Sequence, residues 1–129
     1  MWGDNTRIKI KGYLKNNTEN TTEYFTSNAI KTKNSITYIY NKNKYKLKKI
    51  NKTLILIREN TEILNVIYFD VKKKISSSYL LKKEDFNIEI DITTISIEKG
   101  QNYIKILYLV NDSNNKYEYY LEMSESNGN

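Results

Sequence analysis

Residues 86–98 read F-N-I-E-I-D-I-T-T-I-S-I-E. Phe86, Ile88, Ile90 and Ile92 alternate with Asn87, Glu89 and Asp91, which marks a strand with one dry face and one wet face. After Thr93 and Thr94 the apolar set moves from even positions to odd ones, Ile95 and Ile97. A side-chain period of two cannot change parity inside a regular strand. The chain must therefore bulge or bend near Thr93, as strands do at barrel corners. The stretch is a long strand pair or one kinked strand in a curved antiparallel sheet. Phe86, Ile88, Ile90 and Ile92 are expected to face the core.

Alternation of this kind recurs along the chain. Proline is absent, Ala29 is the single alanine, and no sustained i, i+3, i+4 apolar pattern supports a helix. Strands are expected over residues 7–13, 22–27 (resuming to 32 after a bulge at Asn28), 36–40, 45–50, 53–58, 62–69 and 75–81. The long stretch at 86–98 follows, then 103–110 and 116–123. Residues 53–58 are apolar on both faces, as in a strand covered on both sides or one that closes a barrel. Turn signals arrive every eight to twelve residues, with Lys99-Gly100-Gln101-Asn102 the strongest. Strands this rich in Ile and Tyr would leave hazardous open edges, and closure removes them. The expected fold class is all-β: one closed or nearly closed antiparallel β-barrel of eight to ten strands, spanning 1–129 with a polar tail at 124–129.

Several functions are disfavoured by what the chain lacks. It has no cysteine and no histidine, so disulfides, thiolate metal sites and the commonest general base are gone. No D-x-D-x-D-G loop offers a hard-ion site. No metal and no cofactor is expected. No run of eighteen apolar residues spans a membrane. Residues 1–5 lack the basic and apolar regions of a signal peptide, so the expected location is the cytoplasm. The net charge of +6 invites a nucleic-acid reading, but nearly all of it comes from scattered lysines. Arg7 and Arg58 are the arginines, and arginine is the usual bidentate reader of phosphate and guanine. Nucleic acid is therefore disfavoured as a partner, and a solvated lysine face is favoured.

Ser35 to Tyr40, Arg58 with Glu59-Asn60, Ser78-Tyr79-Leu80, and F-N-I-E-I at 86–90 followed by Thr93 or Thr94 and Ile97 occur in this order. In that order and spacing the chain resembles the YwiB-like family, small bacterial proteins of uncharacterised function, from about Ile8 to Met123. The resemblance implies a calycin- or lipocalin-like barrel and implies no activity. The chain departs from the family pattern at three turns. Asn28 and Asn60 stand where the family tends to have glycine, and asparagine can take the same left-handed backbone. Lys83-Glu84-Asp85 replaces a Pro-Tyr-Gly-like turn.

The residue types leave two candidate features. Arg58 is in phase with Leu54 and Leu56. It either looks into the barrel, where it would meet a carboxylate or phosphate of a ligand, or pairs at the rim with Glu59, Glu62 or Asp91. The tyrosines, twelve in all, are the second. Tyr38, Tyr40, Tyr79, Tyr108, Tyr117 and Tyr119 would line an aromatic pocket, or simply pack on a half-buried sheet. Ser76-Ser77-Ser78 lacks a histidine, a G-x-S-x-G elbow and oxyanion glycines, so no nucleophile is read there. Glu89 and Asp91 share a strand face that reads as wet exterior. No catalytic residue is assigned and an enzyme is not expected. The favoured function is a barrel holding a small apolar or amphipathic ligand. The alternatives are an interaction protein with a filled barrel, and a single-strand nucleic-acid binder that needs lysines and tyrosines on one outer face. An interior void below about 100 Å³ would favour the filled barrel.

Overall fold

Period-two alternation resolves into ten strands in a computed structural model that describes residues 6–125. They are β1 (Thr6–Asn16), β2 (Thr21–Lys31), β3 (Ser35–Tyr40), β4 (Asn43–Ile50), β5 (Thr53–Glu59), β6 (Ile63–Phe69), β7 (Lys74–Leu81), β8 (Phe86–Lys99), β9 (Tyr103–Val110) and β10 (Asn115–Glu125). Each strand pairs antiparallel with its sequence neighbours, and β1 also pairs with β10, closing the barrel. The closing ladder runs from Ile8↔Glu125 to Asn16↔Tyr117. The sparsest seam joins β2 to β3, through Ala29↔Tyr38, Ile30↔Thr37 and Lys31↔Ile36. No helix long and apolar enough to cross a membrane is present among the described residues.

The turns use residues that tolerate a left-handed backbone. Asn41 and Lys42 both have positive φ, 53° and 65°, which is the type I′ geometry of a two-residue hairpin. Asn20, Asn51, Asp85 and Asn114 take the same region at other turns. Gly12 is required for a different reason. A Cβ on it would lie 2.1 Å from the Tyr120 carbonyl oxygen and 2.9 Å from the Phe25 ring, so β1 and β10 approach there only because the side chain is missing.

Ile8, Ile10, Ile36, Leu47, Leu54, Phe69, Ile104, Ile106 and Leu121 are buried inside the barrel. They occupy the half that holds the termini and the turns after β2, β4, β6 and β8, leaving a cleft of about 150 Å³ there beside Ile36, Leu54 and Ile104. Above them lies an aromatic layer. Phe25 stacks on Tyr38 (5.5 Å), Tyr38 on Tyr45 (4.9 Å) and Tyr108 on Tyr117 (5.5 Å) between ring centroids. The doubly apolar β5 sends Leu54 and Leu56 inward. Ile55, on the outer face, is buried between its cross-strand neighbours Lys48 and Tyr68.

The parity change in β8 is a bulge, placed slightly later than expected. Thr94 pairs with Tyr108 and Ser96 with Leu107, leaving Ile95 as the extra residue. Ile95 is accordingly exposed (43%). Thr94 is buried and Ile97 packs on the core, so the inward set does pass from even to odd positions.

Four expectations are corrected. Phe86 and Ile88 do not face a covered core: they are 57% and 39% exposed. Pairing with β9 begins only at Ile92↔Val110, next to an Asn111 N bond to Asp91 O (2.9 Å), so residues 86–90 have β7 alone beside them and overhang the barrel. Asn28 marks no bulge, because β1 and β2 stay in register from Thr6↔Lys31 to Asn16↔Thr21. Asn28 and Asn60 do not adopt positive φ. Asn60 works through its side chain instead, its Oδ1 accepting from Glu62 N (2.7 Å) and Ile63 N (2.9 Å). Lastly, β10 reaches Glu125 and pairs there with Ile8, so Ser124 and Glu125 belong to the strand. The rest of the expected tail, 126–129, and the N-terminal segment 1–5 lie outside the described residues.

Candidate functional site

At the barrel end opposite the filled half, the turns after β1, β3, β5, β7 and β9 come together. The inward side chains just below them enclose a cavity of about 340 Å³. Ten strands explain the space. Barrel diameter grows roughly linearly with strand number, and about eight strands are just filled by their own side chains. Two further strands widen the interior beyond what these side chains occupy.

One row of inward residues crosses the sheet at this level. The ladder registers are Tyr38↔Tyr45, Tyr45↔Arg58, Arg58↔Asn65 and Asn65↔Tyr79. Directly paired residues put their side chains on the same face, so Arg58 projects inward between Tyr45 and Asn65. Its guanidinium carbon lies 5.9 Å from the centre of the Tyr79 ring, within cation–π range. Its Nε is enclosed and has no hydrogen-bond acceptor. The carboxylates proposed as rim partners do not reach it. Glu59 pairs with Lys82 (2.8 Å) and Asp91 with Lys74 (4.0 Å), and no ion pair among the described residues includes Arg58 or Glu62. The Lys82 ammonium holds the Glu59 carboxyl below its ordinary pKa. Arg58 is thus a cation in an otherwise mostly apolar wall, with its Nε donor unused and its guanidinium beside the Tyr45 hydroxyl. Glu23 is the acid lining the same cavity.

Arg58, Tyr38, Tyr40, Tyr79, Tyr108 and Tyr119 all line this cavity. They do not play equal parts. Tyr38 and Tyr119 share a buried hydroxyl–hydroxyl hydrogen bond of 2.7 Å, so they form a satisfied floor. Burial first, and their mutual proximity second, push the Tyr38 pKa well up; burial does the same to Tyr119 and Tyr108. Tyr40 sits at the rim and donates to Tyr24 O (3.2 Å). Burial raises the Tyr45 pKa while the Arg58 guanidinium beside it pulls the other way.

Tyr117, one of the six strand tyrosines, also lines the cavity; Tyr45 and Asn65 were not singled out from the sequence, although both are lining residues. Tyr45 was legible, being in phase with Leu47. Asn65 carried no signal, since a polar residue on an inward face looks like an outward one. Ser77 also lines the cavity, with its Oγ accepting from Tyr68 N (3.3 Å). Asp91 lies outside the cavity, where Ser76 Oγ donates to it (3.0 Å).

The outer wall has a second feature. β1 turns Arg7, Lys9, Lys11, Tyr13 and Lys15 outward. Tyr13 stacks on Tyr120 (5.2 Å) and meets Tyr24 edge-on (6.0 Å), and Tyr24 is 72% exposed. Glu118 and Glu122 stand among these residues. Glu118 accepts from the Tyr13 hydroxyl and Glu122 from Tyr120 (2.9 Å). With burial, the Glu118 contact pushes the Tyr13 pKa up to about 12.

No family model matches the chain, and no curated protein does. Among solved structures it is similar to the ywiB protein from Bacillus subtilis, with a TM-score of 0.71 and 14% identity, covering 97% of this chain and 95% of that one. At this identity the likeness carries the fold, and the barrel implied by the ordered motifs from Ser35 to Ile97 is the fold they share.

Proposed function

We propose that this chain is a non-catalytic binding protein that holds a small amphipathic molecule, anionic at its head, in the open half of the barrel. Arg58 carries the reading: a guanidinium with an enclosed, unpartnered Nε in the wall of an apolar cavity. A buried donor left unmade costs free energy, and an acid oxygen entering the cavity would satisfy the guanidinium with a charge-assisted bond. Tyr45 and Asn65 flank that position, and Tyr79, Ile67 and Ile90 offer apolar surface beside it. The cavity volume is within the ~300–1,000 Å³ usual for small-molecule sites, and above the limit that would favour a filled interaction barrel.

Membership of the YwiB-like family and a calycin-like ancestry belong to the same proposal, supported by the shared fold and the order of the motifs. So does a cytoplasmic location. Four of the outward positions of β1 are Arg7, Lys9, Lys11 and Lys15, with Tyr13 among them, where a lipid-facing strand would need an apolar band.

Titration calorimetry of the refolded protein with octanoate and with octan-1-ol tests the reading. Octanoate should bind, octanol should bind at least roughly tenfold more weakly, and Arg58→Met should erase the difference. Equal affinities, or no binding of either, would refute it. A native mass of the bare chain for protein purified from its own host would count against it too.

A second reading rests on the outer wall. Exposed Tyr24 beside the Arg7–Lys15 stripe meets the requirement for a single-strand nucleic-acid platform, lysines and tyrosines on one face. Undetectable affinity for a single-stranded oligonucleotide at low salt would end it.

A further inference from the structure

The β7–β8 hairpin overhangs the barrel, and its inner face continues the cavity wall. Phe86, Ile88 and Ile90 share a face, and Ile90 lines the cavity. Across the ladder Tyr79, which also lines the cavity, is opposite Ile88, and Leu81 is opposite Phe86. These five side chains thus form a strip that leaves the cavity and ends in water, with Phe86 57% exposed. The charged residues of this part of β8 lie on the other face, with Glu89 and Asp91 out of phase with the strip. The overhang is also braced. Lys82 Nζ bonds Glu59 Oε2 and Asn60 O, both at 2.8 Å, and Lys82 N bonds Glu62 O (2.8 Å). The strip is therefore held at a fixed angle to the mouth by the β5–β6 turn.

We infer that this strip is the tail-binding part of the site, so that the ligand is an extended amphiphile: anionic head at Arg58, chain across Tyr79 and out along Ile88 and Phe86. This rests on the reading of the cavity as the site of an anion-headed amphiphile. The path sets a length. Arg58, Asn65, Tyr79 and Ile88 are successive residues of one cross-strand row, spanning about 14 Å at the spacing between strands. Phe86 lies about 7 Å further along β8. A head at Arg58 therefore needs roughly a dozen or more extended carbon–carbon bonds to reach Phe86. Shorter chains end inside the cavity.

Titration calorimetry with octanoate and palmitate, on the wild-type chain and on the double variant Phe86→Ser/Ile88→Ser, tests this. Both residues are exposed, so the variant keeps the fold, and circular dichroism checks it. Each methylene that reaches the strip should raise affinity roughly fourfold. Palmitate should thus bind at least about a hundredfold more tightly than octanoate. The double variant should lose tenfold or more of the palmitate affinity and leave octanoate unchanged. Octanoate binding with no gain for palmitate, or with a gain that survives the double substitution, would overturn the strip while leaving the cavity reading intact. Failure of both carboxylates to bind overturns both. A homodimer that the double substitution dissolves, with palmitate affinity unchanged, would assign the strip to a second copy of the chain and overturn the inference.

Discussion

Replacing Arg58 by methionine should make the ligand-free protein more stable. The enclosed Nε has no acceptor, and a buried donor left unsatisfied costs about 1–3 kcal/mol. The same residue gains something from the Tyr79 ring, 5.9 Å from its guanidinium carbon, and such a contact contributes about 0.5–1 kcal/mol. Methionine loses the second term and removes the first. It is unbranched, close to the arginine stem in shape, and adapts to irregular space beside Leu56 and Ile67. The balance is a gain of about 1 kcal/mol, which for a domain of this size raises Tm by about 4 °C. Thermal unfolding followed by far-ultraviolet circular dichroism measures it. The protein must first be refolded from denaturant, since any retained ligand would stabilise the wild type by mass action. A fall in Tm of more than about 2 °C would refute the account. It would mean that the contacts of the guanidinium with Tyr45 and Tyr79 outweigh the unmade Nε bond in the empty barrel, and with that the reason for assigning Arg58 to a ligand would go.

The floor predicts an inverted double-mutant cycle. Tyr119→Phe leaves the buried Tyr38 hydroxyl without its 2.7 Å partner and should cost about 1–3 kcal/mol in urea unfolding, whereas Tyr38→Phe/Tyr119→Phe together should cost less than either alone. Gly12→Ala should lower stability by about 1–3 kcal/mol or more, because the added methyl meets the Tyr120 backbone oxygen at 2.1 Å, which cannot move without breaking the β1–β10 ladder; an unchanged urea midpoint would show that the ladder relaxes freely. Alkali should unfold the barrel. Tyr13, Tyr38, Tyr45, Tyr108 and Tyr119 all have folded pKa values above the ordinary tyrosine value of 10.0, so the folded state holds their protons more tightly. Their contribution is complete below about pH 10 and is lost as pH rises past it, through about 12 for Tyr13. The urea midpoint should stay level up to about pH 10 and then fall, with tyrosinate absorbance from the buried rings appearing only as the chain unfolds.

How much of this was legible follows from which physical signals are local. The bulge was readable because parity is a property of neighbouring residues: Ile92 and Ile97 cannot face one side of a regular strand. The strand count was readable from turn chemistry, with asparagine supplying the left-handed positions at Asn20, Asn41, Asn51 and Asn114. Phe86 and Ile88 were misplaced because alternation says which face a side chain is on and nothing about what covers that face. Cover depends on where β9 stops, and β9 stops at Val110, opposite Ile92. The same limit applies to Arg58. Its phase put it on the face of Leu54 and Leu56 but left open whether it looks into the barrel or pairs at the rim, because which acids reach it is a fact about distant strands.

The overhang at the hollow end follows from strand length. A closed sheet with strands of unequal length cannot end flush. β8 has 14 residues and its neighbours β7 and β9 have 8 each, and the bulge at Ile95 takes up one residue without lengthening the paired wall. Part of the surplus in β8 emerges beyond Val110 at the mouth, carrying its inward alternation with it. Natural sequences blunt an exposed edge with charges or proline. Here Glu89 and Asp91 guard the outer face, while Ile88 and Phe86 keep the inner face apolar past the point where any strand covers it. Selection for solubility alone would favour polar residues at both positions, as on the outer face. The persistence of the core pattern into solvent is what a surface shaped for an apolar chain requires.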